Sequence, residues 1–567
     1  MDTKNHIVIK KIVVLLTLFL AFFSCKENTS NSNVEEAVLW QPYNDSAEVA
    51  ANKDHPIERM RYRLIQSKVL DKNDIFLALN DEVLKMTESE YETIKPIVLE
   101  QNIFDLRQSI DQGKLTYEKL VLFYLYRIYK YELDNTTTLN TVIALDKEVV
   151  EQARELDRMK TNGLEPSVKH PIYGMPILLK DNINTQGMNT TAGSLALIDN
   201  VVEDAFIVKQ LKKNGALILG KVNMSEWAYF LCSGCPVGYS AYGGQTLNPY
   251  GRRIFETGGS SSGSGTSVAV NFAVAAVGTE TSGSILSPSS QNSVVGLKPT
   301  IGLLSRSGIV PISSTLDTPG PMTKNVRDNA ILLSAMLGKD EADPTSVAFQ
   351  DSIPTASLIH FSLEGKRFGV FKSLLDSDSI YSATIEKIRG LGAEIIEFTP
   401  PKVEMEGFRS ILNIDMKNDL PKYLSAHSNP EKVKIKSIAE LVQFNAADSL
   451  VRIPYGQALF EGILADSTSV EALEEIKTNL KKNGRTFFDV AMDKYGLDAI
   501  LSINNYHASY AAVAKYPALT VPMGYKTTGE PIGLTFIGKP FTETNLLYLG
   551  SGFESAVKIR KMPEAYK

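Results

Sequence analysis

The sequence is poor in the residues that build disulfide scaffolds and metal sites. It has 3 cysteines and 6 histidines among 567 residues. Three cysteines are far too few to staple a fold of this length. The histidines are scattered, without an i, i+4 pair or any other spacing typical of metal ligands, which argues against a zinc hydrolase. We therefore expect neither a metal nor another cofactor.

An excess of positive charge is also lacking. Lys and Arg number 59 against 65 Asp and Glu, so the net charge of −6 is small and has the wrong sign for a nucleic-acid-binding protein. The 2 Trp residues and a mean hydropathy of −0.08 argue against a polytopic membrane protein. With 43% hydrophobic and 22% charged residues, the composition is that of a globular protein.

The hydrophobic run at the N-terminus is short. It covers residues 12–23 and follows Lys4, Lys10 and Lys11. A helix of this length measures about 18 Å, well below the ~30 Å hydrocarbon core of a bilayer. The pattern predicts a signal peptide over residues 1–24 rather than a membrane span.

A cysteine follows this run directly. The pair Ser24-Cys25 resembles the lipobox of bacterial lipoproteins, in which the cysteine is acylated and becomes the first residue of the mature chain. The alternative is an ordinary cleaved signal peptide with a chance cysteine. Residues 25–36 are polar and predict a solvated tether. We expect an exported bacterial lipoprotein, periplasmic or on the cell surface, held to a lipid bilayer through Cys25.

Cys232 and Cys235 are the remaining cysteines, separated by Ser233 and Gly234. In an exported protein they can form a disulfide. Their surroundings show no sign of a redox motif, and two ligands do not make a zinc site. We interpret the pair as structural, and both the oxidised and the reduced form stay open.

The body of the chain alternates between strand and helix patterns. This alternation predicts one large α/β layer structure, a catalytic domain over residues 96–567. Residues 37–95 are expected to be a polar, partly helical extension. The predicted strands are 141–145, 176–179, 216–219, 367–371, 394–398, 497–503 and 533–537. The predicted helices are 147–159, 204–213, 384–389 and 545–557, with another that Thr116 begins.

Two segments rich in Gly and Ser surround an apolar stretch. Residues 258–265 consist only of glycine and serine, which is also typical of a flexible linker. However, this segment leads directly into the Ala- and Val-rich residues 266–277, and a second small-residue turn follows at 278–285. Two such turns around a buried helix can bring backbone N–H groups and hydroxyls together, as acyl transfer to serine requires.

The first of these segments contains the pattern G-x-S-x-G, with Ser261 at its centre. In α/β-hydrolases this pattern follows a strand and carries the nucleophile, and an acid and a histidine follow it in the chain. No clear strand precedes Gly258. The downstream histidines are His360, His427 and His507. An esterase that uses Ser261 and His507 is therefore an alternative function.

Lys180 is a candidate base of another kind. It follows the apolar residues 176–179, so its ammonium can lie in a largely dry site. Burial lowers the pKa of a lysine because the charged form loses its hydration, and neutral lysine can accept a proton from serine. The alternative is a solvated lysine that pairs with Asp181.

Taken together, these segments resemble the amidase signature family. The resemblance runs from about residue 100 to 560, and the motifs occur in family order. It implies an α/β/α fold with a mixed, twisted central sheet covered by helices. The motifs are residues 174–182, 258–265, 278–285, 296–300, 517–522 and 533–538. The turn at 282–284 and residues 305–308 and 317–322 look most similar to the bacterial peptide-amidase branch.

The resemblance implies a Ser–cis-Ser–Lys triad for hydrolysis of amide bonds. Matched by motif, Ser284 is the nucleophile, Ser260 the bridging serine after a cis peptide bond, and Lys180 the base. The 24 positions between the two serines agree with the spacing of the family. The oxyanion would be bound by the backbone N–H groups of Thr281, Ser282, Gly283 and Ser284.

Two positions depart from the family pattern. Ser282 stands where relatives often have glycine, and Leu286 and Ser287 stand where many relatives carry arginine. Without that arginine a small dicarboxylate half-amide is a poor substrate. We expect peptide-like or neutral acyl amides instead, and no nucleic-acid partner.

Two other roles stay open. One is an exported binding lipoprotein that has lost catalysis, but the intact set of Lys180, Ser260 and Ser284 argues against it. The other is the aminoacyl-tRNA amidotransferase subunit, which shares the family signature. Its tRNA substrate is cytoplasmic, so the predicted signal peptide argues against that role.

Overall fold

The computed structural model describes residues 38–349, 353, 355, 357–358 and 361–567. The predicted signal peptide, Cys25 and the tether lie outside these residues. Residues 39–567 form one compact unit. None of the helices in the described ranges is long and apolar enough to span a membrane. The domain boundaries at residues 24, 36 and 95 stay predictions.

A mixed sheet of 11 strands runs through the molecule, as the sequence predicts. Its strand order is β1-β3-β2-β6-β8-β7-β12-β13-β11-β9-β10, and a small hairpin of β4 and β5 lies outside it. The strands are β1 Val142–Leu145, β2 Pro176–Lys180, β3 Leu217–Val222, β4 Tyr239–Ser240, β5 Gly244–Gln245, β6 Ala275–Glu280, β7 Val295–Lys298, β8 Thr318–Thr323, β9 Arg367–Phe371, β10 Glu394–Phe398, β11 Ala499–Ile503, β12 Ala518–Tyr525 and β13 Pro531–Ile537.

Helices cover the sheet and extend beyond it. The helices up to β8 are α1 Ser46–Ala51, α2 Lys72–Phe76, α3 Asn80–Val83, α4 Glu88–Val98, α5 Ile103–Asp111, α6 Tyr117–Glu132, α7 Val149–Thr161, α8 Phe206–Lys213, α9 Ser262–Ala269 and α10 Leu286–Gln291. The later ones are α11 Val326–Met336, α12 Lys372–Ser377, α13 Ser379–Gly390, α14 Phe408–His427, α15 Ile438–Ala446, α16 Ser449–Arg452, α17 Ala458–Ala465, α18 Val470–Tyr495, α19 Ala508–Ala514 and α20 Glu543–Val557.

Many of the predicted elements are present. Strands β9 and β10 have the predicted bounds, and Thr116 begins α6 by accepting a hydrogen bond from the N–H of Lys119 (3.1 Å). The interpretation of residues 266–277 as one buried helix is wrong. The helix ends at Ala269, Asn271 has a left-handed backbone (φ +56°), and the chain continues as β6. A short, mostly apolar segment has no periodicity that separates a buried strand from a buried helix.

Three apolar clusters hold the unit together, and two of them bear on the site. The larger surrounds the sheet, and side chains of the N-terminal extension such as Tyr62, Phe76 and Tyr91 belong to it. The smaller one is formed largely by helices α14 to α18, where the sequence predicted no element, together with Trp227 and Phe230. The catalytic segments therefore lie between a sheet core and a separate helical layer.

The sheet brings the predicted catalytic segments to one edge. Strand β2 runs parallel to both β3 and β6. The carboxyl ends of parallel neighbours meet at the same edge, which is where α/β folds commonly bind ligands. Lys180 ends β2, residues 281–285 follow β6, and the loop after β3 reaches the same place.

Candidate active site

Lys180 lies at the centre of this edge with its side chain wholly buried. Its Nζ lies 2.7 Å from Oγ of Ser260. It also lies 2.8 Å from Oγ1 and 3.1 Å from the carbonyl oxygen of Thr279, near the end of β6. The structure therefore brings together the first two of the three predicted catalytic side chains.

These three contacts match both protonation states of the amine. A lysine ammonium has three N–H donors, one for each of the three oxygens. Neutral lysine has two donors and one lone pair, so it can donate to both oxygens of Thr279 and accept from the Ser260 hydroxyl. No rearrangement is needed when the proton moves between Ser260 and Lys180.

Burial makes the neutral form of Lys180 accessible. Loss of hydration lowers the pKa of Lys180 to about 7, against the opposing attraction of the carboxylates of Asp317 and Glu280. A base with a pKa near neutral pH can take a proton from a hydroxyl and return it later. Asp181, the alternative partner, instead pairs with buried Lys221 (3.3 Å).

Ser260 is fixed by the loop that follows β3. The Ser260 carbonyl accepts a hydrogen bond from the N–H of Ser225 (3.0 Å), and the Asn223 carbonyl accepts one from the N–H of Gly263 (2.9 Å). The peptide bond between Gly259 and Ser260 is cis, which confirms the expectation from the resemblance. The Gly/Ser segment is therefore an ordered loop and the start of α9, and not a linker.

Ser284 lies on the turn between β6 and α10. The Ser284 carbonyl accepts a hydrogen bond from the N–H of Ser261 (3.2 Å), which joins this turn to the Ser260 loop. The carboxylate of Glu280 accepts from the N–H groups of Ile285 (2.7 Å) and Leu286 (3.0 Å). The turn is thus held from both ends, at the same edge of the sheet where Lys180 lies.

The backbone of the turn suits an oxyanion. Among the described residues, the N–H groups of Ser282, Gly283 and Ser284 have no hydrogen-bond acceptor. Gly283 has φ +92°, a backbone angle that strains any other residue, and a Cβ there would lie 2.8 Å from Nδ2 of Asn505, whose side chain would have to move. Ser282 has no such left-handed backbone and is tolerated in place of the family glycine.

The space beside the triad has an inner and an outer part. The inner pocket is lined by Asn182, Ala228, Thr279, Thr281 and Asp317, among others. The outer cleft, of about 260 Å³, continues from Arg306, Ile309 and Asp317 towards α14. Asn182, Thr279 and Asp317 lie in segments that carry the family resemblance, yet their roles were not predicted from the sequence.

The esterase arrangement with Ser261 is absent from the described part of the chain. The Ser261 hydroxyl is buried and donates to the Thr279 carbonyl (3.0 Å). His507 Nδ1 shares a hydrogen bond with the Ser502 hydroxyl (2.6 Å), and its ring stacks on Phe371. His427 lines the outer cleft, and His360 lies outside the described residues. Each described candidate side chain is thus engaged elsewhere.

Cys232 and Cys235 form a disulfide, which resolves the alternative that the sequence left open. The Tyr229 hydroxyl donates to the carbonyl of Cys235 (2.7 Å). Residues 227–229 all have left-handed backbone angles, and Ala228 among them lines the inner pocket. The disulfide therefore lies next to residues 227–229, which form part of the pocket wall. No group of three or more potential metal ligands occurs in the described ranges.

Comparisons of the sequence with known proteins identify its family. The sequence profile of the family named Amidase matches residues 119–502. A protein of Arabidopsis thaliana named probable amidase is 37% identical over 486 residues, which cover 82% of this chain and 92% of the relative. A glutamyl-tRNA(Gln) amidotransferase component of Caldanaerobacter subterraneus is 31% identical over 82% of this chain and 98% of its own length.

Comparisons of the structure give the same family. An amidase family protein of Bacillus anthracis is 37% identical with a TM-score of 0.83, over 88% of this chain and 100% of that chain. The peptide amidase of Stenotrophomonas maltophilia is 36% identical with a TM-score of 0.77, over 82% of this chain and 99% of the neighbour. The chain therefore belongs to the Amidase family and is an amidase, a hydrolase of carbon–nitrogen amide bonds.

Proposed function

We propose that this amidase cleaves carboxamides through an acyl-enzyme on Ser284, with Ser260 as the bridging hydroxyl and Lys180 as the base. The observation that carries this proposal is the contact of 2.7 Å between the buried Lys180 amine and the Ser260 hydroxyl. No other buried lysine reaches a serine of the two Gly/Ser turns among the described residues.

The proton is transferred from Ser284 to Lys180 through the hydroxyl of Ser260. Ser284 Oγ attacks the carbonyl carbon of the amide while its proton passes to Ser260, and the Ser260 proton passes to Lys180. The N–H groups of the 281–284 turn stabilise the oxyanion. Lys180 returns the proton through Ser260 to the departing amine, and the C–N bond breaks. A water molecule then attacks the acyl-enzyme by the same route and releases the carboxylic acid.

Peptide-like and neutral acyl amides are the proposed substrates. Leu286, which takes the place of the family arginine, is buried among apolar side chains, so no cation follows the nucleophile there. The identity to the solved peptide amidase, at 36%, also exceeds the 31% to the amidotransferase component. A C-terminally amidated dipeptide is the first compound to try.

We also propose that Cys25 carries a lipid and that the enzyme acts outside the cytoplasm, attached to a membrane. The support is the short apolar run with a small residue before Cys25. The disulfide is compatible with an oxidising compartment. Replacement of Cys25 by serine should release the protein from the membrane fraction. Membrane association equal to that of the wild type would contradict the anchor.

The test of the chemistry is active-site labelling followed by turnover. A fluorophosphonate should modify Ser284, and mapping the labelled peptide identifies the nucleophile. An amidated dipeptide and malonamate are then compared side by side. Label on Ser261 would exclude the proposed triad, and faster turnover of malonamate would exclude the proposed substrate class.

A further inference from the structure

The outer cleft carries more charge than the inner pocket. It shares Arg306, Ile309 and Asp317 with the inner pocket, where Thr279 contacts Lys180. The titratable side chains that line the cleft are Arg306, Asp317, Asp343, Asp419, Lys422 and His427.

Four of these side chains neutralise one another in pairs. Arg306 donates two hydrogen bonds to Asp343, at 3.0 Å from Nε and 2.7 Å from Nη2. The Nζ of Lys422 lies 3.3 Å from Asp419. Burial and nearby Lys209 lower the pKa of His427, so this ring is uncharged at neutral pH. None of these five residues adds net charge to the cleft.

Asp317 is the remaining charge. Its carboxylate accepts hydrogen bonds from the Thr281 hydroxyl (2.6 Å) and from the N–H groups of Ile312 (2.8 Å) and Ser313 (2.9 Å). All three donors are neutral. Arg306 also attracts Asp317 but forms its ion pair with Asp343, and no lysine or arginine in the described ranges forms an ion pair with Asp317. Asp317 thus leaves one negative charge where the inner pocket meets the outer cleft.

We propose that Asp317 makes this enzyme select amides whose acyl part carries a positive charge over otherwise equal neutral and negatively charged amides. The proposal rests on the proposed function and names its substrate class more narrowly: peptide amides with a protonated amine near the reacting residue. Because Asp317 contacts Thr281 at the start of the oxyanion turn, the charge acts close to the bound acyl group.

The physical reason is the loss of water on binding. A charged acyl group that enters the cleft gives up hydration, and only an opposite charge compensates for this. A single carboxylate attracts a cation and repels an anion by the same law, and it does so more strongly in a partly buried cleft than in water. The expected order of kcat/KM is cationic, then neutral, then anionic.

The experiment uses three N-acetylated dipeptide amides of nearly equal size. Each ends in phenylalanine amide and has lysine, glutamine or glutamate before it, so that only the charge differs. For the wild-type enzyme we expect kcat/KM for the lysine substrate to exceed that for the glutamate substrate by about tenfold or more at low ionic strength, and by less in high salt. Equal values, or a preference for glutamate, would overturn the inference.

The variant Asp317→Asn removes the charge at nearly constant size. It should reduce the ratio between the lysine and glutamate substrates to about one, since no net charge remains in the cleft. The matched control is Asp493→Asn, an exposed carboxylate that pairs with Lys539 and does not line the cleft. The control should keep the wild-type ratio. A ratio that stays at the wild-type value in Asp317→Asn would contradict the role of Asp317.

The assay with the three amides distinguishes failure of the proposed function from failure of this inference. If none of the three amides is hydrolysed, the proposed function and the inference both fail. If all are hydrolysed at equal rates, the proposed function stands and only the inference fails. Because wild-type ratios decide the charge order, the inference is testable even if Asp317→Asn does not fold.

Discussion

The inner pocket and the outer cleft differ in the elements that line them and in the charged side chains they contain. The inner pocket is lined by residues that follow β2 and end β6, by Ala228 and by the segment 306–319. The outer cleft joins the loop around Arg306, the turn at 342–344 and the last turns of α14. Arg306 and Asp317 line both regions, but only the outer cleft adds further charged side chains, which form ion pairs.

From this difference we expect the inner pocket to determine the reaction rate and the outer cleft to determine the substrate preference. Of the proposed triad, Lys180 ends β2 and Ser284 follows β6 by a few residues, while Ser260 is bound to the loop after β3 through Ser225. The outer cleft lies on loops and on a helix of the smaller apolar cluster. Substitutions in the inner pocket should therefore change kcat for every substrate, and those in the outer cleft should change which substrate is preferred.

The largest effect is expected from Ser284→Ala. Loss of the nucleophilic hydroxyl should reduce kcat by roughly a million-fold, as removal of a serine nucleophile does in other hydrolases. The fold should be retained because little packing is lost. Turnover of an amidated dipeptide measures the loss of kcat, and circular dichroism measures whether the fold is retained. Ser261→Ala is the matched control, since that hydroxyl only bonds the backbone of β6, and it should retain turnover.

Lys180→Met should lower kcat by about 10²–10⁴-fold, the usual contribution of a general base. Methionine keeps most of the volume of the buried side chain but cannot accept a proton. The same assay on His507→Ala should give activity near the wild-type value. An inactive His507→Ala enzyme together with an active Lys180→Met enzyme would support a histidine base instead.

Gly283→Ala should lower kcat by about 10²–10³-fold, the usual cost of losing an oxyanion donor. A Cβ at this position collides with Asn505 and displaces the N–H groups of the turn. Gly529→Ala is the control because Gly529 also has φ +92° but has nothing within 4 Å of its Cβ position. Equal losses in the two variants would mean that backbone strain alone is responsible.

The pH dependence of activity should depend on both Lys180 and Asp317. Activity should rise with pH through about 7, because Lys180 must be neutral to accept a proton and its pKa is about 7. Asp317, whose own pKa burial raises to about 6, favours the protonated form of Lys180. Asp317→Asn should therefore move the acid limb of kcat to lower pH. If the acid limb of kcat stays at the wild-type pH, the charge of Asp317 does not affect the pKa of Lys180.

The smallest effect is expected at the disulfide. Cys232→Ser with Cys235→Ser should raise KM by about two- to fivefold and leave kcat nearly unchanged, as expected when only substrate positioning is lost. The reason is that the disulfide contacts the pocket wall only indirectly, through Tyr229, which follows Ala228 and bonds to Cys235, and neither cysteine belongs to the proposed triad. A large fall in kcat would place this segment in the chemistry.

Parts of the fold could be predicted from local patterns. The parallel unit of β9 and β10 and the cap at Thr116 were predictable because each depends on residues close in the chain. The helical layer from α14 to α18 was not predicted, although its helices are well formed. Residues 266–277 were misread because a buried strand made of alanine and valine has the same composition as a buried helix.

The residues of the site were also predictable only as far as local motifs specify them. Lys180, Ser260 and Ser284 could be named from motif and spacing, and the structure brings Lys180 to Ser260 as the proposed triad requires. Asp317 lies in a motif as well, but its importance depends on how the charged side chains around it are paired. That depends on Arg306 being bound to Asp343 and on Asp419 pairing with Lys422, and no local pattern specifies either pair.

By itself, the sequence determined the family, the alternating α/β architecture and the residues of the proposed triad. These depend on short motifs and on strand ends, which the hydrogen bonds of neighbouring strands bring to one edge. Only the tertiary structure decided the disulfide, the engagement of Ser261 and His507 elsewhere, and the charge of the outer cleft. Each of these is a contact between side chains whose distance is set by the packing of whole elements, and such packing is not encoded in any single segment.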